Sequence, residues 1–196
     1  MIRTIPTINT HRLSLSAMRP EDFDRIAALW AMPELARRPD GAGLSRGRAW
    51  EWFLRNAGHW QMTGFGQWAV VESRRRRIVG ISGFFYGSDS LGDDFDPYPE
   101  ARCLIDPAEQ GAGLGREAAQ AAHDWFDRVI PGPLVARLSP ENAAGRALAE
   151  RLGYVVLRQL APAAGGAGQP GEAGAPGGGV ILLRRNRPPQ EAGHLI

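Results

Sequence analysis

The sequence predicts a single domain of the mixed α/β class. Its 196 residues, of which 43% are hydrophobic and 22% charged, have the composition of one ordinary globular domain. Segments in which apolar residues alternate with polar ones, as in strands, are interspersed with segments of helical spacing. In chain order they give one strand, two helices, three strands, a helix, a strand, a helix and two strands. This order favours one mixed sheet covered by helices.

The first third of the chain contains one strand and two helices. Apolar and polar residues alternate from His11 to Met18, which is typical of a strand with one buried face. A helix begins near Pro20, since an acidic first turn and apolar residues at helical spacing follow this proline. Ser45 has the side chain of an N-cap for a second helix, whose tryptophan-containing apolar stripe predicts packing against the core.

Three strands and a loop occupy the middle of the chain. The segments 65–72 and 77–86 are predicted strands, and the arginine-rich turn 74–77 joins them as an antiparallel hairpin. The stretch 87–100 is polar, rich in turn residues and locally acidic, so we predict a loop there. A short strand at 100–105 follows it.

The last third of the chain continues the alternation. A glycine-rich turn at 106–115 opens a helix over 116–129, and Asn142 stands at the N-cap of the next helix. The glycine, alanine and proline tract 161–179 cannot bury apolar surface, so we expect a mobile hairpin loop. The other predicted elements are a strand at 134–139, a helix at 140–154 and strands at 155–160 and 180–185. We therefore expect the domain core at about 11–187, followed by a short tail at 188–196.

The composition excludes several classes of protein. Cys103 is the only cysteine, so the chain has no intrachain disulfide and no cysteine-rich zinc cluster. Four scattered histidines lack the spacing of metal ligands, and we predict no metal site. The 23 basic residues, all arginine, nearly balance 21 acidic ones, which argues against nucleic-acid binding. The chain has no long apolar run and no secretion signal at its start, so we expect a cytoplasmic protein that does not bind membranes.

The segment QGAGLG, from Gln110 to Gly115, is the first candidate for chemistry. It lies between a strand and the start of a helix, where unpaired backbone amides and the helix dipole favour anions. Its glycines would let the backbone approach a pyrophosphate closely. A tight strand-to-helix turn without a ligand explains the segment about equally well. Neither a dinucleotide fingerprint nor a P-loop fits, because Arg116 replaces a required glycine and the chain has no lysine.

Two longer segments carry a resemblance to a known family. EARCLIDPAEQGAGLGREAAQAAHDWF and LSPENAAGRALAERLGY together resemble the two signature segments of the GCN5-related N-acetyltransferases (GNAT). Within them, Gln110, Gly113 and Gly115 match the phosphate loop Q/R-x-x-G-x-G/A of that family. HRLSLSAMRPEDFDRI and FGQWAVVE are similar to the branch of ribosomal-protein N-terminal acetyltransferases, so the resemblance covers about residues 11–160.

The resemblance implies a fold and a coenzyme. The GNAT fold has about seven mostly antiparallel strands with a central splayed pair, and about four helices. Acetyl-CoA would be the co-substrate, with its pantetheine arm pairing to the splayed strand like a further strand. The implied coenzyme-binding residues are Leu104, Ile105, Gln110, Gly111, Gly113, Leu114, Gly115, Arg116 and Asn142.

The implied reaction is attack of an amine on the thioester within a ternary complex, without a covalent enzyme intermediate. Such a reaction needs a base for the amine and a proton for the departing thiolate. Glu100 matches a frequent family glutamate and is the candidate base, with a surface glutamate as the alternative. The family's usual acid is a tyrosine at the position of Ala149, so Ser139 or a water becomes the candidate. Tyr154 and Cys103 are expected to pack in the core.

The acceptor is the least specified part of the prediction. A protein N-terminus and a small amine both remain possible, as do a longer acyl-CoA donor, a coenzyme A-binding module without turnover, and a monomer or a homodimer. In this fold the first helices, the loop before the fourth strand and the final hairpin wall the acceptor pocket, so the loop 161–179 is expected to act as a flap. The candidate acceptor residues are Trp50, His59, Trp60, Phe85, Asp93, Asp94 and Asp96, with a core alternative for the tryptophans and a solvated-turn alternative for the three aspartates.

Overall fold

A mixed sheet of eight strands forms the centre of the protein. The computed structural model describes residues 4–36, 43–87, 90–130, 132–161 and 179–186. The strands in these ranges are β1 (Ile8–Asn9), β2 (Leu13–Ser16), β3 (Gln67–Glu72), β4 (Arg77–Phe85), β5 (Glu100–Ile105), β6 (Leu134–Leu138), β7 (Val155–Leu160) and β8 (Val180–Arg185). Their order in the sheet is β1-β2-β3-β4-β5-β6-β8-β7. Neighbouring strands are antiparallel except for β5 and β6, which are parallel.

Four longer helices and one single turn of helix connect the described strands. They are α1 (Phe23–Trp30), α2 (Pro33–Ala36), α3 (Arg46–Thr63), α4 (Leu114–Val129) and α5 (Ala143–Arg151). The predicted N-caps are confirmed: Ser45 accepts from the backbone amide of Arg48 at 3.4 Å, and Asn142 accepts from that of Gly145 at 3.0 Å. The predicted GNAT-like mixed α/β fold is confirmed. Strand β1 and helix α2 were not predicted because elements this short show no period.

Apolar side chains cover both faces of the sheet. On one face, α4 buries Phe126 against Phe84 of β4, and Trp60 and Trp68 belong to the same cluster. On the other face, α1 and the start of α3 pack against the sheet. The apolar stripe of α3 is narrower than the sequence indicated, since Trp50 is 42% exposed. The buried residues of this helix are Ala49, Phe53 and Trp60, which follow each other at helical spacing.

Some expectations fall outside the described residues. Of the hairpin loop 161–179, only the two end residues are described, and the tail 188–196 is not described at all. In the described part of the chain, none of the helices combines the length and the apolar character needed to cross a membrane.

Candidate active site

The parallel strands β5 and β6 separate almost at once. One register pair, Glu100 with Val135, joins them among the described residues, and the amide of Val135 donates to the carbonyl of Pro99 at 2.9 Å. Beyond this pair, β5 stays bonded to β4 through Ile105, and β6 stays bonded to β8. The edges of β5 and β6 that face each other therefore lack strand partners. A V-shaped gap with free backbone groups can take an extended ligand as a further strand.

The gap opens toward the glycine-rich turn before α4. Gly111 and Gly113 have φ values of 84° and 77°, in the left-handed region that favours glycine. The amide of Gln110 donates to Pro107 and that of Glu117 donates to Gly113. Between these two positions, no backbone amide donates to any residue the structure describes. The amides of 111–116 are thus available to an anion at the positive end of a 16-residue helix.

A charged tether holds this turn from behind. Arg12 donates from Nη1 to the carbonyl of Ala112 at 2.7 Å, and from Nε to Oε2 of Glu117 at 2.7 Å. Oε1 of Glu117 also accepts from the hydroxyl of Thr10 at 2.6 Å and from the backbone amide of Arg12 at 2.8 Å. Burial opposes ionisation, but the hydrogen bonds from Thr10 and Arg12 lower the pKa of Glu117. Because a carbonyl and the next amide point in opposite directions in a trans peptide, Arg12 directs the amide of Gly113 away from itself.

The turn is also joined closely to the end of β5. The side-chain amide of Gln110 donates to the carbonyl of Ile105 at 3.2 Å. A Cβ added to Gly115 would lie 3.2 Å from Cγ1 of Ile105, so glycine allows the helix to approach the strand. Cys103 donates from Sγ to the carbonyl of Gly115 at 3.5 Å, and burial raises its pKa to about 11. Cys103 also packs against the buried core cluster, which is the role predicted for it.

A groove of about 530 Å³ runs along the gap from the turn to Glu100. All of the coenzyme-binding residues predicted from the sequence line this one groove: Leu104, Ile105, Gln110, Gly111, Gly113, Leu114, Gly115, Arg116 and Asn142. Asn142 lies on the opposite wall from β5 and also acts as the N-cap of α5. Among the described residues, no cluster of three His, Cys, Asp or Glu side chains is arranged to hold a metal ion.

Glu100 lies in the groove, where the strands part, and is 3% exposed. Its Oε1 accepts from Nε of Arg137 at 3.1 Å, and Oε2 lies 2.9 Å from Nη2 of the same guanidinium without hydrogen-bond geometry. Nη2 of Arg102 is 4.0 Å from Oε1. The carboxylate therefore belongs to the lining of the groove, and it is held by an ion pair that spans β5 and β6. Sequence patterns did not indicate Arg137, because strands so far apart in the chain show no mutual spacing.

Ser139 lies just after β6 and does not line the groove. Its hydroxyl donates to the carboxylate of Glu141. Ala149, at the position of the family's usual tyrosine, is buried in the core. Tyr154 is 5% exposed, and its hydroxyl lies 2.9 Å from Nε2 of His123, so the prediction that it packs in the core is confirmed.

The predicted acceptor residues do not line the groove. Trp60 is buried and donates from Nε1 to the carbonyl of Gln67 at 3.1 Å, and Trp50 stacks on Phe53 at 5.7 Å. Phe85 is paired with Glu100 across β4 and β5. Trp60 matches the core alternative that the sequence left open for the tryptophans, whereas Trp50, which is 42% exposed, does not.

His59 is held between two backbone groups. Nδ1 lies 2.7 Å from the carbonyl of Phe65, and the amide of Tyr86 donates to Nε2 at 2.9 Å. Because Nε2 accepts, the proton is on Nδ1, which donates to Phe65. Burial lowers the pKa of His59, which keeps the ring neutral. His59 therefore ties α3 to the end of β4.

Two carboxylates of the acidic loop before β5 have partners within the protein. Asp96 accepts from the backbone amides of Leu91 at 3.0 Å and Gly92 at 2.8 Å, and Asp94 pairs with Arg158. Asp93 is exposed. The engaged carboxylates match the solvated-turn alternative.

Three residues that were not predicted from the sequence also line the groove. They are Trp30, Trp52 and Arg102. Trp52 lies on α3, and its ring meets Phe85 edge-on at 6.5 Å. One signal for it exists in the sequence. Trp52 lies off the buried stripe of α3 and three residues before Arg55, and a large aromatic residue on a polar helix face indicates a contact surface.

Known proteins share both the fold and the family of this chain. Residues 12–155 match the family described as acetyltransferase (GNAT) domain. A Bordetella pertussis structure described as a GnaT-family acetyltransferase is 27% identical, with a TM-score of 0.75 over 91% of this chain and 98% of that chain. An acetyltransferase from Agrobacterium tumefaciens str. C58 is 25% identical, with a TM-score of 0.69 over 94% and 96%. An acetyltransferase from Salmonella typhimurium, solved with its cofactor acetyl-CoA, is similar in fold at 19% identity, with a TM-score of 0.67 over 95% and 100%. Because the family match spans well over half of the chain, and the splayed strands and glycine-rich turn lie within it, the chain belongs to the GNAT acetyltransferase family.

Proposed function

We propose that this protein transfers the acetyl group of acetyl-CoA to a primary amine, by direct attack of the amine in a ternary complex. The single observation that carries this proposal is the convergence of nine sequence-predicted coenzyme residues on one groove between parted strands. The Salmonella typhimurium protein of similar fold was solved with acetyl-CoA, which supports the choice of donor. A cytoplasmic location is part of the same proposal, as is membership of the ribosomal-protein N-terminal acetyltransferase branch, which rests on the segments 11–26 and 65–72.

Each part of the groove would have a distinct role in binding the donor. The amides of 111–116 would hold the pyrophosphate, since they face no acceptor among the described residues. The free edge of β5 at Leu104 and Ile105 would pair with the amide groups of the pantetheine arm. This arrangement would direct the thioester toward Glu100, roughly 16 Å along the strand from Ile105 at about 3.3 Å per residue.

The chemical step requires a neutral amine. We propose that Glu100 takes the proton of the attacking amine, directly or through a water. Its ion pair with Arg137 would hold the carboxylate in place before the reaction. Because the hydroxyl of Ser139 already donates to Glu141 outside the groove, a water is the better candidate for protonating the thiolate.

The test of the donor site compares two substitutions at Gly111, where an added Cβ meets nothing within 4 Å. Aspartate and asparagine have nearly the same shape and tolerate the left-handed backbone similarly, so they differ mainly in charge. Gly111→Asp should weaken acetyl-CoA binding, measured by calorimetry, at least about tenfold more than Gly111→Asn, because it adds a carboxylate to the turn that would hold the pyrophosphate. Equal affinities in the two variants would contradict the assignment of the turn as the phosphate site.

A second candidate function is coenzyme A binding without turnover, which Ala149 at the usual position of the acid favours. Release of free thiol from acetyl-CoA in the presence of an amine panel separates the two functions. The same assay with longer acyl-CoA donors tests the choice of acyl group. Binding without thiol release from any of these donors would support the module and contradict the transferase.

A further inference from the structure

A second, much smaller cavity adjoins Glu100, between this residue and the loop before β5. It has a volume of about 10 Å³. The described residues that line it are Gly87, Leu91, Phe95, Asp96, Tyr98 and Glu100, and we call it the loop cavity. Of these residues, only Glu100 also lines the groove. A cavity of roughly 10–15 Å³ is large enough for one water molecule.

One carboxylate oxygen of Glu100 lies beside the loop cavity and accepts no hydrogen bond. Oε2 is buried, and its ion pair with Nη2 of Arg137, at 2.9 Å, lacks hydrogen-bond geometry. A Cβ added to Gly87 would lie 3.6 Å from Oε2. Because Gly87 lines the loop cavity and not the groove, Oε2 is on the cavity side of the carboxylate. A buried carboxylate oxygen is stabilised by a hydrogen-bond donor, and the space beside Oε2 admits a donor the size of water.

The lining of the loop cavity joins the buried carboxylate to the protein surface. Glu100 is 3% exposed, whereas Gly87 is exposed and Asp96 and Tyr98 are partly exposed. Asp96 is fixed in its loop, since its carboxylate accepts from the backbone amides of Leu91 and Gly92. A molecule in this cavity therefore lies between Glu100 and the solvent, on a route that does not pass through the groove.

We infer that the loop cavity binds a water molecule, which donates to Oε2 of Glu100 and carries the proton released in each turnover to the solvent. This inference rests on the proposed function and adds a route for its proton. Gly87 is then a positioning residue, because the absence of a side chain leaves room for the water. The loop before β5 acts in the reaction through this water and not through contact with the acceptor.

The proton balance gives this route its purpose. The amine nitrogen bonds to the acetyl carbon, the carbon–sulfur bond breaks with its electron pair going to sulfur, and the amine proton passes to Glu100. Glu100 then passes a proton to the water of the loop cavity and on to the solvent, while the thiolate takes a proton from solvent water. The groove still holds both products at this stage. An exit outside the groove lets Glu100 return to the carboxylate before the products leave.

Two substitutions at Gly87 test the inference. The φ of Gly87 lies outside the left-handed region, so the backbone accepts a side chain there. Gly87→Ala places a methyl group in the cavity and should lower kcat for thiol release about tenfold, with acetyl-CoA affinity by calorimetry unchanged. Gly87→Ser places a hydroxyl within reach of Oε2 and should restore kcat to within about threefold of the unmodified protein. A purely steric effect would instead make serine worse than alanine.

A control variant and a crystal structure complete the experiment. Gly47→Ala lies at an exposed position of α3 where an added Cβ meets nothing within 4 Å, and its kcat should equal that of the unmodified protein. Crystals of the unmodified protein should show a water about 2.6–3.2 Å from Oε2 on the side of Gly87. Crystals of Gly87→Ala should lack this water.

The outcomes separate this inference from the proposed function. The lack of a water at Oε2, an unchanged kcat in Gly87→Ala, or a lower kcat with serine than with alanine would each overturn the inference and leave acetyl transfer intact. A failure of the unmodified protein to bind acetyl-CoA, or to release thiol with any amine, would overturn the proposed function and the inference together.

Discussion

His123 should make the stability of this protein depend on pH. The side chain is 4% exposed, Nδ1 lies 2.7 Å from the carbonyl of Ala119, and Nε2 lies 2.9 Å from the hydroxyl of Tyr154. Burial raises the pKa of Tyr154, so its hydroxyl stays protonated and donates to Nε2. Nδ1 of the neutral ring then donates to Ala119, and both nitrogens are satisfied. If His123 took up a second ring proton, Nε2 could no longer accept the hydrogen bond from Tyr154, and the ring would carry a buried positive charge.

The charges around His123 do not offset this burial. Burial lowers the pKa of His123 to about 4 from an ordinary value of 6.5. The carbonyl of Ala119 raises it, Arg185 lowers it further, and Asp127 and Asp124 raise it. Arg185 is itself paired with Asp127 at 2.6 and 2.7 Å, so its charge is largely balanced.

The size of the effect follows from the two pKa values. Between pH 4 and 6.5 the unfolded chain binds a proton at His123 that the folded chain does not, so stability falls as the pH falls. From pH 7.5 to pH 5 this linkage removes about 2 kcal/mol from the free energy of unfolding, and the full loss below pH 4 is about 3 kcal/mol. Glu72, Asp106, Glu109 and Glu117 also have lowered pKa values, but their ordinary values are 3.8 to 4.5, so their effect begins at lower pH.

The assay is urea unfolding followed by tryptophan fluorescence at pH 7.5, 6.5, 5.5 and 5.0. His123→Gln keeps an acceptor for Tyr154 but does not titrate, so the difference between the two proteins should change by about 2 kcal/mol across this range. His59→Gln serves as the control for the second histidine with a lowered pKa. If the unmodified protein and His123→Gln lost stability in parallel, the proposed linkage would be refuted.

Three further predictions concern the donor site, the base and the sheet. Arg12→Met should weaken acetyl-CoA binding about tenfold, measured by calorimetry, because the turn loses its hydrogen bond from Arg12. Arg19→Met, at an exposed position, is the control and should bind acetyl-CoA like the unmodified protein. Equal affinities in the two variants would contradict the proposed role of Arg12. Glu100→Gln should lower kcat about 100-fold with less effect on acetyl-CoA affinity, and an unchanged pH dependence of kcat would exclude Glu100 as the base. Gly83→Ala should lower the free energy of unfolding in urea by about 2 kcal/mol or more, since its Cβ would lie 2.3 Å from a carbonyl oxygen of the adjacent chain segment. Gly58→Ala, which has open space around it, should raise the free energy of unfolding by about 0.5–1 kcal/mol. Similar effects in the two variants would contradict this account of the backbone contact.

The geometry of the turn and strand proposed to hold the donor could be predicted from the sequence because it depends on the backbone. Gly111 and Gly113 mark left-handed positions, and Asn142 marks a helix start, so each is recognisable from its immediate neighbours. The strand 100–105 has the predicted bounds for the same reason. The tether from Arg12 to Ala112 could not be predicted, since it joins positions one hundred residues apart in the chain.

The acceptor half depends on which side chains of different elements meet, and local pattern does not determine this. Trp50 and Trp52 are both tryptophans on α3, yet only Trp52 lines the groove, because two residues turn a helix by about 200°. Trp50 is the sequence-predicted candidate because it lies on one of the first helices, yet its ring stacks on Phe53 and is 42% exposed outside the groove lining. Which of the two tryptophans faces the groove therefore depends on how the helix packs on the sheet, and residue type does not decide it.

The ion pair between Glu100 and Arg137 connects the two halves. It crosses from β5 to β6 at the point where the strands part, so it bridges the narrow end of the gap with side chains. A carboxylate held in this way is oriented before a reactant arrives. The same point of the sheet holds the register pair of Glu100 with Val135, so the backbone of β5 and the side-chain contact to β6 fix this carboxylate together. The groove lined by the glycine-rich turn and the base proposed at Glu100 therefore meet where the two parallel strands separate.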